Sequence, residues 1–179
     1  MTTKNAITLP DNFPDDLKRI ARLVYVKCNF DLNNPVLHQE STSYGACSFE
    51  LNQKKIQHRV SKITPTKSGQ FVTIWKRDQE GITKAFAISD DLDYIFITSR
   101  SGENLGQFIF PKSVLAAKGI ITQNNKEGKR GIRVYPPWDR TNSKQAEKTQ
   151  LWQTDYFLDL KSEDSIDFEM IRKLFHQKI

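Results

Sequence analysis

Cysteine is scarce in this chain. Cys28 and Cys47 are the only two among 179 residues, too few for the disulfide framework that holds small secreted domains together. Long apolar runs are also missing. The first 25 residues contain no apolar core of the ~7–15 residues that a secretion signal needs, and no run approaches the ~18–20 that cross a bilayer. The expectation is a cytoplasmic protein with no membrane partner. Catalytic signatures are absent too: there is no phosphate loop ending in Gly-Lys-Ser/Thr, no Gly-x-Ser-x-Gly elbow and no paired cysteine motif for zinc. His38, His58 and His176 lie far apart with no helical i, i+4 partner, so they read as surface or packed histidines rather than ligands. The two cysteines read as small apolar residues on a helix and a strand. No metal, no cofactor and no catalytic residue is expected.

What the chain does contain is enough apolar material for a core, at 37% hydrophobic and 11% aromatic residues, which excludes low-complexity disorder and suits one domain spanning residues 1–179. Its net charge of +6 is unevenly spread. Residues 51–77 carry Lys54, Lys55, Arg59, Lys62, Lys67, Lys76 and Arg77 and no acid. Residues 78–104 reverse the sign, with six acids against two bases, and residues 105–138 return to six bases against Glu127 alone. If the two basic blocks meet in the fold, their field exceeds what the net charge implies and favours an anionic partner. The alternative is that they are simply solvated faces.

Periodicity divides the chain coarsely. Residues 1–13 read as a loose arm. Asp11 or Asn12 is placed to cap a helix from Pro14 to Cys28, with Leu17, Ile20, Val24 and Cys28 on one face. Alternation over Cys47–Leu51 and Ile56–Lys62, and the β-branched and aromatic run Phe71–Arg77, predict an antiparallel meander. Tyr94–Ile97 and Phe108–Phe110 are apolar on both faces and suit central strands. Pro111 opens a short helix that Gly119 closes. A strand over Ile132–Tyr135, a helix from Ser143 to about Leu158 and a last helix over 165–179 complete the chain. The last carries Ile171, Leu174 and Phe175 on its apolar stripe. The class is mixed α/β: a central mixed sheet beginning with an antiparallel meander, with helices on both faces.

Two places concentrate candidate binding groups. Lys62 shares strand parity with Ile56 and Val60, and Lys76 with Val72 and Ile74, so each lysine closes an apolar row. Either the stem snorkels past the core edge or the cation is aimed into a cleft. Trp75, on the opposite face from Lys76, is either core or a stacking platform. The segment Gly128–Trp138 holds Lys129, Arg130, Arg133, Tyr135 and Trp138 within eleven residues. Glycine lets backbone N–H groups approach a phosphate, arginine offers it a planar fork, and aromatic rings stack on bases. On the next helix Gln150 and Gln153 are either satisfied inside or line a groove.

At these residues the sequence resembles the MepB family of small bacterial proteins. The matching stretches are Lys62-Ile-Thr-Pro-Thr-Lys67, Gly69-Gln-Phe-Val-Thr-Ile-Trp-Lys-Arg77, Gly106-Gln-Phe-Ile-Phe-Pro-Lys112, Gly128-Lys-Arg-Gly-Ile-Arg-Val-Tyr-Pro-Pro-Trp-Asp139 and Thr149-Gln-Leu-Trp-Gln-Thr-Asp-Tyr-Phe157. The resemblance implies a relative of the PD-(D/E)XK nuclease fold, a restriction-endonuclease-like core with an acid on its second strand and acid-x-Lys on its third. The nearest match to the latter is Ile74-Trp75-Lys76, which keeps the lysine and replaces the acid. The expectation is therefore a nucleic-acid-binding protein without chemistry that prefers single-stranded DNA or RNA. Lys62, Lys67, Lys76, Arg77, Lys112, Lys129, Arg130 and Arg133 would meet phosphates, and Trp75, Tyr135, Trp138 and Trp152 would stack. The alternatives are a divergent metal-dependent nuclease using Glu40, Glu50 or Asp93, and a protein-interaction module.

Overall fold

A computed structural model describes residues 8–176. In chain order the elements are α1 (Asp15–Ile20), β1 (Leu32–Leu37), β2 (Cys47–Leu51), β3 (Lys54–Val60), β4 (Lys62–Ile63), β5 (Gln70–Thr73), β6 (Trp75–Arg77), β7 (Thr83–Ala85), β8 (Tyr94–Ser101), β9 (Asn104–Pro111), α2 (Lys112–Ala117), β10 (Gly131–Val134), α3 (Lys144–Thr154), β11 (Phe157–Asp159) and α4 (Phe168–His176). A π-helical turn, Ala21–Tyr25, continues α1. Six strands form the main sheet in the order β1-β2-β3-β8-β9-β11. All neighbours are antiparallel except β3 and β8, which run parallel. Two smaller sheets stand apart, one ordered β10-β5-β4 and one pairing β6 with β7.

The strand alternation of β2 and β3 and the two-sided apolar runs of β8 and β9 place the main sheet between two cores. On one face Leu17, Ile20 and Val24 from the first helical stretch and Ile171, Leu174 and Phe175 from α4 pack on Phe49, Ile56, Phe96 and Ile109. On the other, Ile95, Ile97, Phe108 and Phe110 are covered by Val72, Ile132 and Val134 of the β10-β5-β4 sheet, by Ile74 just after β5, by Leu115 of α2 and by Trp152 of α3. The mixed α/β class with helices on both faces is thus what forms. Residues Tyr94–Ser99 are buried without exception, as a strand covered on both sides requires. Among the described residues no helix is long and apolar enough to cross a membrane.

The first core encloses a polar chain. His58 sits opposite Cys47, and its Nδ1 lies 3.1 Å from the Gly45 carbonyl oxygen, which can only accept, so Nδ1 carries the proton. Nε2 then accepts from the Thr98 hydroxyl at 2.9 Å. The Thr98 oxygen accepts from Gln107 Nε2 at 3.2 Å, and Gln107 Oε1 accepts from the Tyr25 hydroxyl at 2.8 Å. Each bond has one donor while the imidazole stays neutral. Burial is the main reason that the His58 pKa falls to about 3, with Arg59 adding repulsion. Burial likewise lifts the Cys47 thiol to about 12.

Several expectations need correction. The meander that opens the sheet is β1-β2-β3, and Phe71–Arg77 is not its third strand. That run breaks into β5 and β6, which lie in the two smaller sheets, because the Ile74 N–H turns to the Arg130 carbonyl at 2.9 Å. The alignment of Ile74-Trp75-Lys76 with a third strand of the main sheet therefore does not hold. Strand β1 adds to these expectations, and it forms although it contains Asn33, Asn34 and Pro35. It survives as an edge strand whose register shifts between Asn33 and Val36, the setting in which proline is tolerated. The helix after Ser143 ends at Thr154, not near Leu158, and Phe157–Asp159 pairs with β9 as β11. The helix at the start is capped by Pro14, without a side-chain hydrogen bond from Asp11 or Asn12. Of the expected arm, residues 1–7 lie outside the described residues, while Leu9 and Phe13 are buried. Gln177, Lys178 and Ile179 at the end of the last helix also lie outside the described residues.

Candidate functional site

The small sheet β10-β5-β4 brings the two basic blocks together. β5 pairs with β10 in the register Thr73↔Gly131, Val72↔Ile132, Phe71↔Arg133 and Gln70↔Val134, and with β4 through Phe71↔Lys62. Alternation turns Val72, Ile74, Ile132 and Val134 into the second core and leaves Lys62, Phe71, Thr73, Gly131 and Arg133 on the opposite face. α3 runs beside β10, and a cleft of about 410 Å³ lies between them, lined among others by Phe71, Lys118, Lys129, Arg133, Tyr135 and Trp152.

Side-chain amides fix this geometry. Ser143 caps α3 by accepting from the Ala146 N–H at 3.1 Å. Gln150 Nε2 donates to the Pro136 and Asp139 carbonyls, both at 2.9 Å, and holds the Pro-Pro-Trp loop. Gln153, fully buried, donates from Nε2 to the Arg133 carbonyl at 3.1 Å and accepts through Oε1 from the Tyr135 N–H at 2.8 Å. Its amide thereby takes the place that the next strand of a sheet would occupy.

The expected phosphate contacts divide sharply. Lys129 and Arg133 line the cleft; Lys62 and Lys67 sit on the neighbouring β4 and the loop after it. Lys62 places its ammonium 4.5 Å from the centre of the Tyr44 ring. Lys67 and Lys129 are exposed, with no carboxylate partner among the described residues. The Arg133 guanidinium is committed internally: it donates to the Ser68 and Gly69 carbonyls at 2.8 Å and to Thr64 Oγ1 at 2.9 Å. It therefore shapes the 64–69 loop. Arg130 pairs with Glu127 at 2.8 Å and bonds the Thr83 carbonyl at 3.2 Å. Lys76 is ion-paired with Asp90, whose backbone carbonyl also accepts from Lys112 Nζ at 3.0 Å. Arg77 bonds the Gly81 carbonyl, stands 3.7 Å from Glu40 and stacks on Trp75, with 5.2 Å from the guanidinium to the ring centre. The acidic stretch thus withdraws Lys76 and Lys112 from the cleft.

The four aromatic candidates do not form one platform either. Tyr135 packs against Gly69, where a Cβ would stand 2.6 Å from its ring. Trp152 is held between Phe110, at 5.4 Å, and the Lys118 ammonium, at 5.2 Å from the ring centre. Trp138 packs edge-on to Phe157 at 5.4 Å, its indole N–H buried without an acceptor. Trp75 lies away from the cleft on β6. Sequence reading missed Lys118, which ends a short helix without any local pattern, and Tyr44, which carries no motif. Phe71 was legible only as a strand aromatic.

The acids named for a nuclease do not converge. Glu40 faces Arg77, and Glu50 sits opposite Lys55 on β3. The Asp93 carboxylate accepts from the Lys55 N–H at 2.8 Å. Among the described residues no group of three or more His, Cys, Asp or Glu side chains is placed to hold a metal ion.

A family model described as MepB-like matches residues 38–159, the stretch that carries β2 to β11 and the whole cleft. A solved structure described as the crystal structure of MepB is 34% identical, with a TM-score of 0.70 over 73% of this chain and 88% of that one. A bacterial homing endonuclease structure covers 73% of this chain and 78% of its own at 14% identity. Its TM-score of 0.36 is too low to carry any statement about this chain. No curated protein sequence matches.

Proposed function

The chain belongs to the MepB-like family, and on that footing we propose that it binds single-stranded nucleic acid, DNA or RNA, across the β4-β5-β10 face and the adjoining cleft, without cutting it. The observation that carries this reading is the β5–β10 pairing, which sets side by side two positive blocks lying far apart in sequence. Lys62, Lys67, Lys118 and Lys129 meet phosphates there; they have no carboxylate partner among the described residues. Phe71 and Tyr135 supply aromatic surface. Arg133 contributes by holding the 64–69 loop against the sheet rather than by touching phosphate. A single strand is favoured because unstacked bases are what an aromatic-lined cleft accepts.

The test is fluorescence anisotropy with labelled single-stranded and duplex oligonucleotides over a salt series, with and without Mg²⁺. Four neutralised phosphates on a single strand give a slope of log K against log salt of about −3. Reversing charge at both Lys118 and Lys129 should weaken binding at least tenfold. Single-strand affinity that vanishes at ~150 mM salt, or an affinity indifferent to that double reversal, refutes the proposal. Cleavage in the Mg²⁺ samples refutes the absence of chemistry.

A further inference from the structure

We infer that the exposed edge of β10 holds the hydrogen-bonding edge of one unpaired nucleobase, through the Gly131 carbonyl and the Arg133 N–H. This rests on the single-strand reading above and goes further by naming the contact that holds a base.

The argument starts from strand geometry. In an antiparallel pair, alternate residues turn their N–H and C=O groups toward the partner and away from it. The Ile74 N–H bonds the Arg130 carbonyl, so in the register of β5 and β10 the even residues Arg130, Ile132 and Val134 face β5. Gly131, Arg133 and Tyr135 therefore point their backbone groups outward. β10 is the edge of its sheet, and the cleft lies along that edge, with Gly131 and Arg133 in its lining.

Gln153 shows what such an edge accepts. Its amide gives a hydrogen bond to one outward carbonyl, that of Arg133, and takes one from the N–H two residues on, that of Tyr135. The Gly131 carbonyl and the Arg133 N–H form the same donor and acceptor pair one repeat earlier, about 7 Å along the strand. A ligand that fits presents an N–H beside an acceptor, in one plane, as the Gln153 amide does. Every nucleobase has such a pair on its Watson–Crick edge. The contact is consequently tolerant of base identity.

The alternative occupant of a free strand edge is an extended peptide, which needs a pair of bonds at every second residue. The open stretch of β10 is too short. Gln153 closes it on one side. On the other, the Lys129 N–H is bonded to the Ile120 carbonyl at 2.9 Å, and Gly128 is packed so closely on Ile120–Thr122 that it has no room for a Cβ. One base fits this window and a strand does not. Lys118 and Lys129 line the same cleft and meet the phosphates flanking that base.

Amide spectra of ¹⁵N-labelled protein titrated with oligothymidylate, and with the same oligomer carrying N3-methylthymine, test this. Methylation removes the N–H donor and keeps the ring face and the charge. The Arg133 amide proton should move downfield with oligothymidylate. The methylated oligomer should leave it unmoved and bind about tenfold more weakly with an unchanged salt slope. Equal binding of the two oligomers with a stationary Arg133 amide overturns the inference and leaves single-strand binding standing. No binding of either overturns both. A Thr-Val-Thr-Val-Thr-Val peptide that moves the Arg133 amide when no oligonucleotide does replaces the base with a protein partner.

Discussion

Lowering the pH from 7 to 4.5 should remove about 2–3 kcal/mol of folding stability through His58 alone. The ring is completely buried, and its neutral form is the one that the Gly45 carbonyl and the Thr98 hydroxyl satisfy. Its pKa is about 3 in the fold against 6.5 when free. As the pH falls through 6.5 the unfolded chain takes up a proton that the folded chain refuses. Stability therefore drops by about 1.4 kcal/mol per pH unit until the folded ring itself titrates near pH 3. His58→Gln keeps a donor and an acceptor but cannot titrate. At neutral pH it should be less stable by about 1–3 kcal/mol, because a bond in the Tyr25–Gln107–Thr98 chain is lost or distorted. Urea unfolding of both proteins at half-unit steps separates the two effects. The wild type should lose the additional 1.4 kcal/mol per unit, whereas carboxylate titration affects both alike. Parallel stability curves between pH 6.5 and 4.5 would refute the reasoning. So would an imidazole NMR signal for His58 that titrates above pH 5, a measurement that needs no variant.

Two further outcomes follow from the packing. Gly106→Ala drives a Cβ into the Phe157 ring and to 2.8 Å from the Leu158 carbonyl oxygen, so β11 must shift from β9; urea unfolding should register a loss of about 2–3 kcal/mol, and a loss under 0.5 would mean the strand moves freely. Arg133→Gln removes the bonds to Thr64, Ser68 and Gly69, so trypsin should cut after Lys67 at least several-fold faster in the variant under native conditions; an unchanged cutting rate would show that the loop is held by something else.

The sequence spoke clearly where the signal is local. Pro111 and Gly119 mark the ends of α2, and Gly119 takes a φ of +67° there. The two-sided apolar runs of β8 and β9 announce central strands, and the 3–4 spacing of Leu17, Ile20 and Val24 announces the first helix. Which sheet a strand joins is not a local property. Phe71–Arg77 has good strand character throughout, and only its pairing with β10 and β7 shows that it covers the main sheet instead of extending it. β11 has three residues and follows a helix with no turn signal. The site was legible as two separate motifs, Lys62–Arg77 and Gly128–Trp138, and their meeting was not. The sequence also could not tell a free cation from a committed one. Lys76 and Lys129 look alike along the chain, yet Asp90 takes the first, while Arg133 is spent on backbone carbonyls. Arg59 was legible only as one of the cations of the first basic block. It is 4% exposed, its guanidinium 5.9 Å from the Phe86 ring centre and its pKa lowered to about 10 by burial, because Phe86 and Trp75 close over that side of the sheet.

The parallel pairing of β3 with β8 governs how this molecule comes together. A parallel pair cannot be joined by a tight turn, so the chain leaves the main sheet after β3 and returns only at β8, and it leaves again after β9 until β11. The cleft surface is made of these two excursions clasping each other, with paired residues roughly 60 positions apart. During synthesis β1, β2 and β3 can pair locally as they emerge, whereas the first excursion carries β5 without β10 or α3, and the second carries β10 and α3 without the β5 that pairs with β10. Closing so long a loop is entropically costly and slow, which makes the candidate binding surface a late product of assembly. A chain made only as far as β8 displays the basic residues of its first block without the groove that β10 and α3 complete.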